Sequence, residues 1–216
     1  MFPFKTTDVI TICGLRDTGK SDLCKKICAN PDLKHCLIYD TMWEYNMAAY
    51  GYVGYKLPTG TDRPKINREI VRTYGVNKGV FNLVSNILLG TRNTFFVIDE
   101  CDKYADNTPL RYQSEHFDTI IEQGKHYGIG VVAITRRLAN LSKTILGESN
   151  QIISFFQWLP NDVDVLNKFI GEKNADLCKR LKPFEYLAVK GQAGKGMECQ
   201  VFSSGEKFNE KGGTIC

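Results

Sequence analysis

Asp8-Val9-Ile10-Thr11-Ile12-Cys13-Gly14-Leu15-Arg16-Asp17-Thr18-Gly19-Lys20-Ser21 is the stretch on which the fold turns. A short β-branched run ends in Gly14 to Ser21, which satisfies every fixed position of the phosphate-loop pattern. Asp22 to Cys28 then reads as the opening of a helix. Strand, glycine loop and helix in that order make a chance glycine turn the weaker alternative. Glycines let such a loop curl until successive N–H groups point inward at phosphate oxygens. Contacts to ATP are therefore expected from Gly14, Arg16, Asp17, Thr18, Gly19, Lys20, Ser21 and Asp22. Lys20 would reach the β- and γ-phosphates and the Ser21 hydroxyl would ligate Mg²⁺, with the helix N-terminus adding partial positive charge.

Working outward, continuous apolar runs at 8–13, 36–39, 94–98, 130–134 and 151–156 alternate with helical patterns at about 20–29, 65–75, 78–89, 114–127 and 161–181. Apolar runs without alternation are what a mainly parallel sheet covered by helices on both faces demands. The tail differs: Glu185–Lys190 and Met197–Phe202 flank a glycine-rich turn and predict a terminal β-hairpin. That turn, Gly191 to Gly196, lacks the spacing and the following helix of a second phosphate loop. Residues 48–64, rich in Gly, Tyr, Thr and Pro, read as loop. No repeat or linker divides the chain, so residues 1–216 are expected to form one domain.

Thr94-Phe95-Phe96-Val97-Ile98-Asp99-Glu100 is an apolar strand ending in two acids. Mg²⁺ takes hard oxygen ligands, and a carboxylate at a rigid strand end suits it, so Asp99 is the second expected metal residue. Glu100 would polarise the water that attacks the γ-phosphate. A second acid argues for hydrolysis, as distinct from transfer to a small acceptor. The strand Gly130–Ile134 ends in Thr135-Arg136-Arg137, at the sheet edge where phosphates collect. Thr135 or Arg136 could sense the γ-phosphate, and Arg137 could pair with phosphate, with an acid or with a neighbouring subunit. The expected catalytic set is thus Lys20, Glu100, Arg136 and Arg137.

The chain has 216 residues, is 43 % hydrophobic and 24 % charged, and carries a net charge of +4. This is ordinary for a globular protein and permits a nucleic-acid partner without demanding one. Met1 to Lys5 lacks the order of a signal peptide, and no apolar run nears the roughly 18 residues that span a bilayer. The 8 cysteines contain no Cys-x-x-Cys pair. Cys24, Cys28, His35 and Cys36 fit zinc patterns loosely and read better as small core residues in a reducing compartment.

The constellation resembles the HerA/FtsK superfamily of DNA-pumping ATPases, above all its small viral genome-packaging members. The likeness rests on Gly14–Ser21, on Ile98-Asp99-Glu100 and on Leu37-Ile38-Tyr39-Asp40-Thr41-Met42-Trp43-Glu44-Tyr45, and it is strongest in Gly124-Lys125-His126-Tyr127-Gly128-Ile129 leading into the strand that ends Thr135-Arg136-Arg137. Pro160-Asn161-Asp162-Val163 continues it. Arg136 stands where the relatives carry Gln, and Lys125 where they carry Arg. The resemblance implies a three-layer P-loop NTPase of the additional-strand type, with the 130–134 strand between the phosphate-loop strand and the Asp99 strand. It implies an ATP-hydrolysing motor that packages viral double-stranded DNA into a capsid, acting as a homo-oligomeric, hexameric ring at a portal vertex in the host cytoplasm. An arginine donated between subunits falls among Arg136, Arg137, Arg111 and Arg92.

DNA contacts should be basic and independent of sequence. Arg63, Lys65, Arg68 and Arg72 are the best local candidates, Arg68 and Arg72 sharing a face if the segment is helical. Lys78 extends that stretch, and Lys179, Arg180 and Lys182 form a weaker patch. Rival readings remain. A HerA-like DNA-processing ATPase or a secretion or phage-assembly ATPase acting on protein would share the motifs. A small-molecule kinase would share the loop but need an arginine-rich lid. A GTP switch would carry Asn-Lys-x-Asp, which is absent.

Overall fold

The computed structural model of the chain describes residues 1–54, 66–192 and 196–203. Its nine strands are β1 (Val9–Cys13), β2 (Cys36–Asp40), β3 (Val53–Gly54), β4 (Arg68–Arg72), β5 (Phe95–Ile98), β6 (Gly130–Thr135), β7 (Gln151–Ser154), β8 (Glu185–Gln192) and β9 (Gly196–Ser203). They form one sheet in the order β3-β4-β2-β5-β6-β1-β7-β8-β9. Every pairing from β3 to β7 is parallel, whereas β7–β8 and β8–β9 are antiparallel. The mainly parallel sheet, the terminal hairpin and the position of β6 between β1 and β5 all match the expectation.

The central strands β1, β5 and β6 are almost wholly apolar and buried because both of their faces are covered. Val9 and Cys13, Phe96 and Ile98, and Val131 and Ala133 enter one core, while Ile10 and Ile12, Phe95 and Val97, and Val132 and Ile134 enter the other. This is the period of two that a strand imposes on its side chains. The helices are α1 (Lys20–Cys28), α2 (Lys78–Thr91), α3 (Leu110–Gln113), α4 (Glu115–Tyr127), α5 (Lys143–Glu148), α6 (Pro160–Ile170) and α7 (Glu172–Cys178). Side-chain caps open two of them: Asn77 accepts from the Val80 N–H and Ser114 from the Phe117 N–H. Cys24, Cys28 and Cys36 are free, fully buried thiols in the second core.

Three expectations need correction. The helix expected over 65–75 is the strand β4, which pairs in parallel with β2 and buries both Ile70 and Val71. The helix expected over 161–181 is two helices, broken at Gly171. The loop expected over 48–64 holds a 3₁₀ turn at Ala48–Tyr50 and the two-residue strand β3 before the described residues stop. Arg63, Lys65 and the centre of the hairpin turn lie outside the described residues.

Candidate active site

The register levels the strand ends where phosphate would lie. Cys13 of β1 sits opposite Thr135 of β6, and Ile98 of β5 opposite Ala133, so Asp99 and Glu100 emerge two strands from the phosphate loop. The loop is tied on both sides. The Leu15 N–H donates to Phe156 O at 3.2 Å and the Phe184 N–H to Thr18 O at 3.1 Å, and the Thr18 hydroxyl donates to Leu15 O at 2.8 Å. Glycine is required twice. A Cβ on Gly14 would come within 2.5 Å of the Phe155 Cβ, and Gly19 has φ +107°, in the left-handed region, where it passes the chain to Lys20 at the start of α1. Lys20 is buried and its Nζ donates to Leu15 O at 2.6 Å; burial lowers its pKa.

Asp99 is only 6 % exposed. Burial foremost, then the carboxylates of Glu44 and Asp40, push its carboxyl up to about 7, against the opposing charges of Lys20 and Arg136. Glu100 stands at φ +50°, a left-handed conformation unusual outside glycine, and its N–H donates to Asp99 Oδ1 at 3.0 Å. The Arg136 guanidinium pairs with the Glu100 carboxylate. Beside them the Thr135 hydroxyl donates to Asp102 Oδ1 at 2.8 Å.

These groups surround a cavity of about 310 Å³. Of the residues expected from sequence, Arg16, Asp17, Gly19, Lys20, Ser21, Asp22, Asp99, Glu100 and Arg136 line it. Gly14 and Thr18 shape the loop from behind. Arg137 is not in the lining: its Nε donates to Asp162 Oδ2 at 3.1 Å, and that fully buried carboxylate also accepts the Ala139 N–H at 2.8 Å. Arg137 thus anchors the end of β6 to α6. Met42, Glu44, Lys25 and Phe184 join the lining without having been expected there. Glu44 was legible in principle, four residues past the strand-ending Asp40, and Lys25 lies one helical turn beyond Ser21. Phe184 had no local signal, because tertiary packing brings it in.

The basic candidates fare differently. On the strand β4, Arg68 and Arg72 still share a face, but their guanidinium groups are engaged within the chain. Arg68 donates to the carbonyls of Leu33 at 3.2 Å, Tyr50 at 2.9 Å and Asn30 at 2.8 Å, and lies over the Tyr52 ring. Arg72 donates to Tyr45 O at 2.7 Å, stands 3.6 Å from Asp40 and lies over Trp43. Lys78 pairs with Asp106 and Lys179 with Asp176. Arg92 stacks over Tyr127, and Arg111 over the exposed Tyr112.

No protein-family model matches the sequence, and no curated protein matches it. Solved structures do. The genome packaging NTPase B204 of Sulfolobus turreted icosahedral virus 2, in complex with sulfate, superposes with a TM-score of 0.74 at 19 % identity, over 90 % of this chain and 95 % of that one. The DNA-packaging ATPase B204 of Sulfolobus turreted icosahedral virus gives 0.70 at 22 % identity, over 92 % and 98 %. VirB4 of Thermoanaerobacter pseudethanolicus gives 0.58 at 11 % identity, over 87 % of each chain. The virus 2 protein has also been solved in complex with ATP-gammaS. From its first strand to its terminal hairpin, the chain has the P-loop NTPase α/β fold of these proteins.

Proposed function

We propose that this chain is an ATP-hydrolysing, DNA-translocating motor that packages viral double-stranded DNA into a capsid. One observation carries the reading: Lys20 and Ser21 of the phosphate loop and Asp99 and Glu100 at the end of β5 line one cavity. The near end-to-end likeness to two viral packaging NTPases supports the choice of cargo. The sequence is read as one ATPase domain over residues 1–216.

In this reading Gly14 to Asp22 cradle the nucleotide, and Lys20 leaves Leu15 O for the β- and γ-phosphates. Ser21 and Asp99 present a hydroxyl and a carboxylate, hard oxygens that suit Mg²⁺. Such an ion would take its remaining oxygens from nucleotide and water. When bound, Mg²⁺ would neutralise charge on the phosphate oxygens. Glu100 orients the attacking water and accepts its proton. Arg136, which follows β6 into the cavity lining, meets the γ-phosphate. A second arginine comes from a neighbouring copy in a hexameric ring, and Arg92 and Arg111 are the exposed remaining candidates. DNA runs through the ring, and contact with a capsid or portal component completes the machine. Among the described residues no helix is long and apolar enough to cross a membrane.

ATP turnover with and without double-stranded DNA at low salt tests the proposal. DNA should raise it; turnover indifferent to DNA would favour a protein cargo instead. Glu100→Gln should keep ATP binding and abolish hydrolysis, and retained turnover would remove Glu100 from its role.

A further inference from the structure

Glu44 is the carboxylate of the cavity that belongs neither to the phosphate loop and α1 nor to the Asp99-Glu100 pair. The chain takes trouble to bring it there. Asp40, fully buried at the end of β2, accepts the Glu44 N–H on Oδ1 and the Tyr45 N–H on Oδ2, each at 3.1 Å. Between them Trp43 turns the chain at φ +59°, and its indole N–H donates to Thr73 O at 3.3 Å. The turn lays the Glu44 side chain against the start of α1, where the Ser21 hydroxyl donates to Glu44 Oε2 at 2.8 Å.

A serine hydroxyl has one hydrogen and two lone pairs. With the hydrogen directed to Glu44, the lone pairs are left for a cation. We propose that Glu44 is a positioning residue for the cation site: it holds the Ser21 hydroxyl hydrogen so that the oxygen is presented to the Mg²⁺ that accompanies the nucleotide. The proposal rests on the reading of Ser21 as a cation ligand given above. Partners of this kind typically govern metal affinity by about 10- to 100-fold.

The test titrates MgCl₂ into the full chain with a fluorescent ATP analogue and compares analogue affinity with and without the metal. In Glu44→Ala the gain in affinity due to Mg²⁺ should shrink about 10-fold or more. Glu44→Gln keeps an acceptor oxygen and should lose clearly less. In a Ser21→Ala background Glu44→Ala should add under about twofold, because both changes remove one interaction. A wild-type Mg²⁺ response in Glu44→Ala would overturn the proposal. So would equal losses in the Ala and Gln variants, which mark a bare charge effect, or full additivity with Ser21→Ala. Analogue binding indifferent to Mg²⁺ in the unaltered chain would overturn the reading of Ser21 as a cation ligand, and this proposal with it.

Discussion

Arg136 and Asp99 both line the cavity, the one paired with an acid and the other buried beside carboxylates. Arg136 pairs with Glu100 while lining the cavity, so in the proposed mechanism a γ-phosphate would compete with that carboxylate for its guanidinium. ADP offers no such competitor. Arg136→Gln should therefore lower ATP turnover about 100- to 1000-fold, the scale of losing one charge-stabilising donor. ADP affinity should stay within about twofold; steady-state kinetics and an ADP titration check both. Asp99 carries a cost instead. Its carboxyl titrates at about 7 in the fold against an ordinary 3.8, so between those values the folded chain keeps a proton that the unfolded chain has released. Its contribution to stability is whole below about pH 4 and lost as the pH rises to about 7. Asp99→Asn cannot ionise. Without nucleotide it should melt above the parent at pH 7.5, by about 2–4 °C for each kcal/mol relieved in a chain of this size, with the gap closing toward pH 4. The same change should weaken Mg²⁺-dependent nucleotide binding, so stability and function move in opposite directions.

Among the elements, β4 teaches the most about what a sequence conceals. Arg68-Glu69-Ile70-Val71-Arg72 has charges at both ends, and the four-residue spacing of its arginines suits a helix face as well as a strand face. The partnership with β2 decides it, by burying Ile70 and Val71 on opposite sides of the sheet. Arg68 then becomes a brace between β4 and the loops at Asn30, Leu33 and Tyr50, a role no local pattern announces. Arg68→Ala should accordingly destabilise the chain by about 1–3 kcal/mol, since it strips charged donors from three carbonyls. Denaturant titration measures this. DNA affinity of the folded variant should stay within about twofold of the parent; a large loss of DNA binding with unchanged stability would restore Arg68 as a contact. By contrast β1, β5 and β6 were legible because nearly every residue in them is apolar and their ends carry the chemistry. Glu44 and Phe184 were not, since a capped turn and a long-range packing contact bring them to the cavity.

At the scale of the whole molecule, the cavity is built from one edge of one sheet, and its positive charge within the chain comes from Arg16, Lys20, Lys25 and Arg136. Arg136 is committed to Glu100, and Arg137 is tied to Asp162 outside the lining. In the ring proposed above a further arginine would come from the next copy, and turnover would then belong to the assembly. Two consequences follow for solution measurements. Turnover per chain should rise with protein concentration until the ring is filled and then level off. Mixing Glu100→Gln chains into the unaltered protein should lower turnover by more than their share, because each blocked site also sits beside a working one. A strictly proportional loss, at concentrations where light scattering shows the oligomer, would mean that each chain hydrolyses ATP alone. DNA tests the same assembly from the inside. Contacts to the phosphate backbone release counterions, so DNA stimulation should fall steeply as salt rises from about 50 to 200 mM. DNA-free turnover should change far less over that range. Equal salt sensitivity of the two would locate the effect in the nucleotide site and argue against a DNA channel.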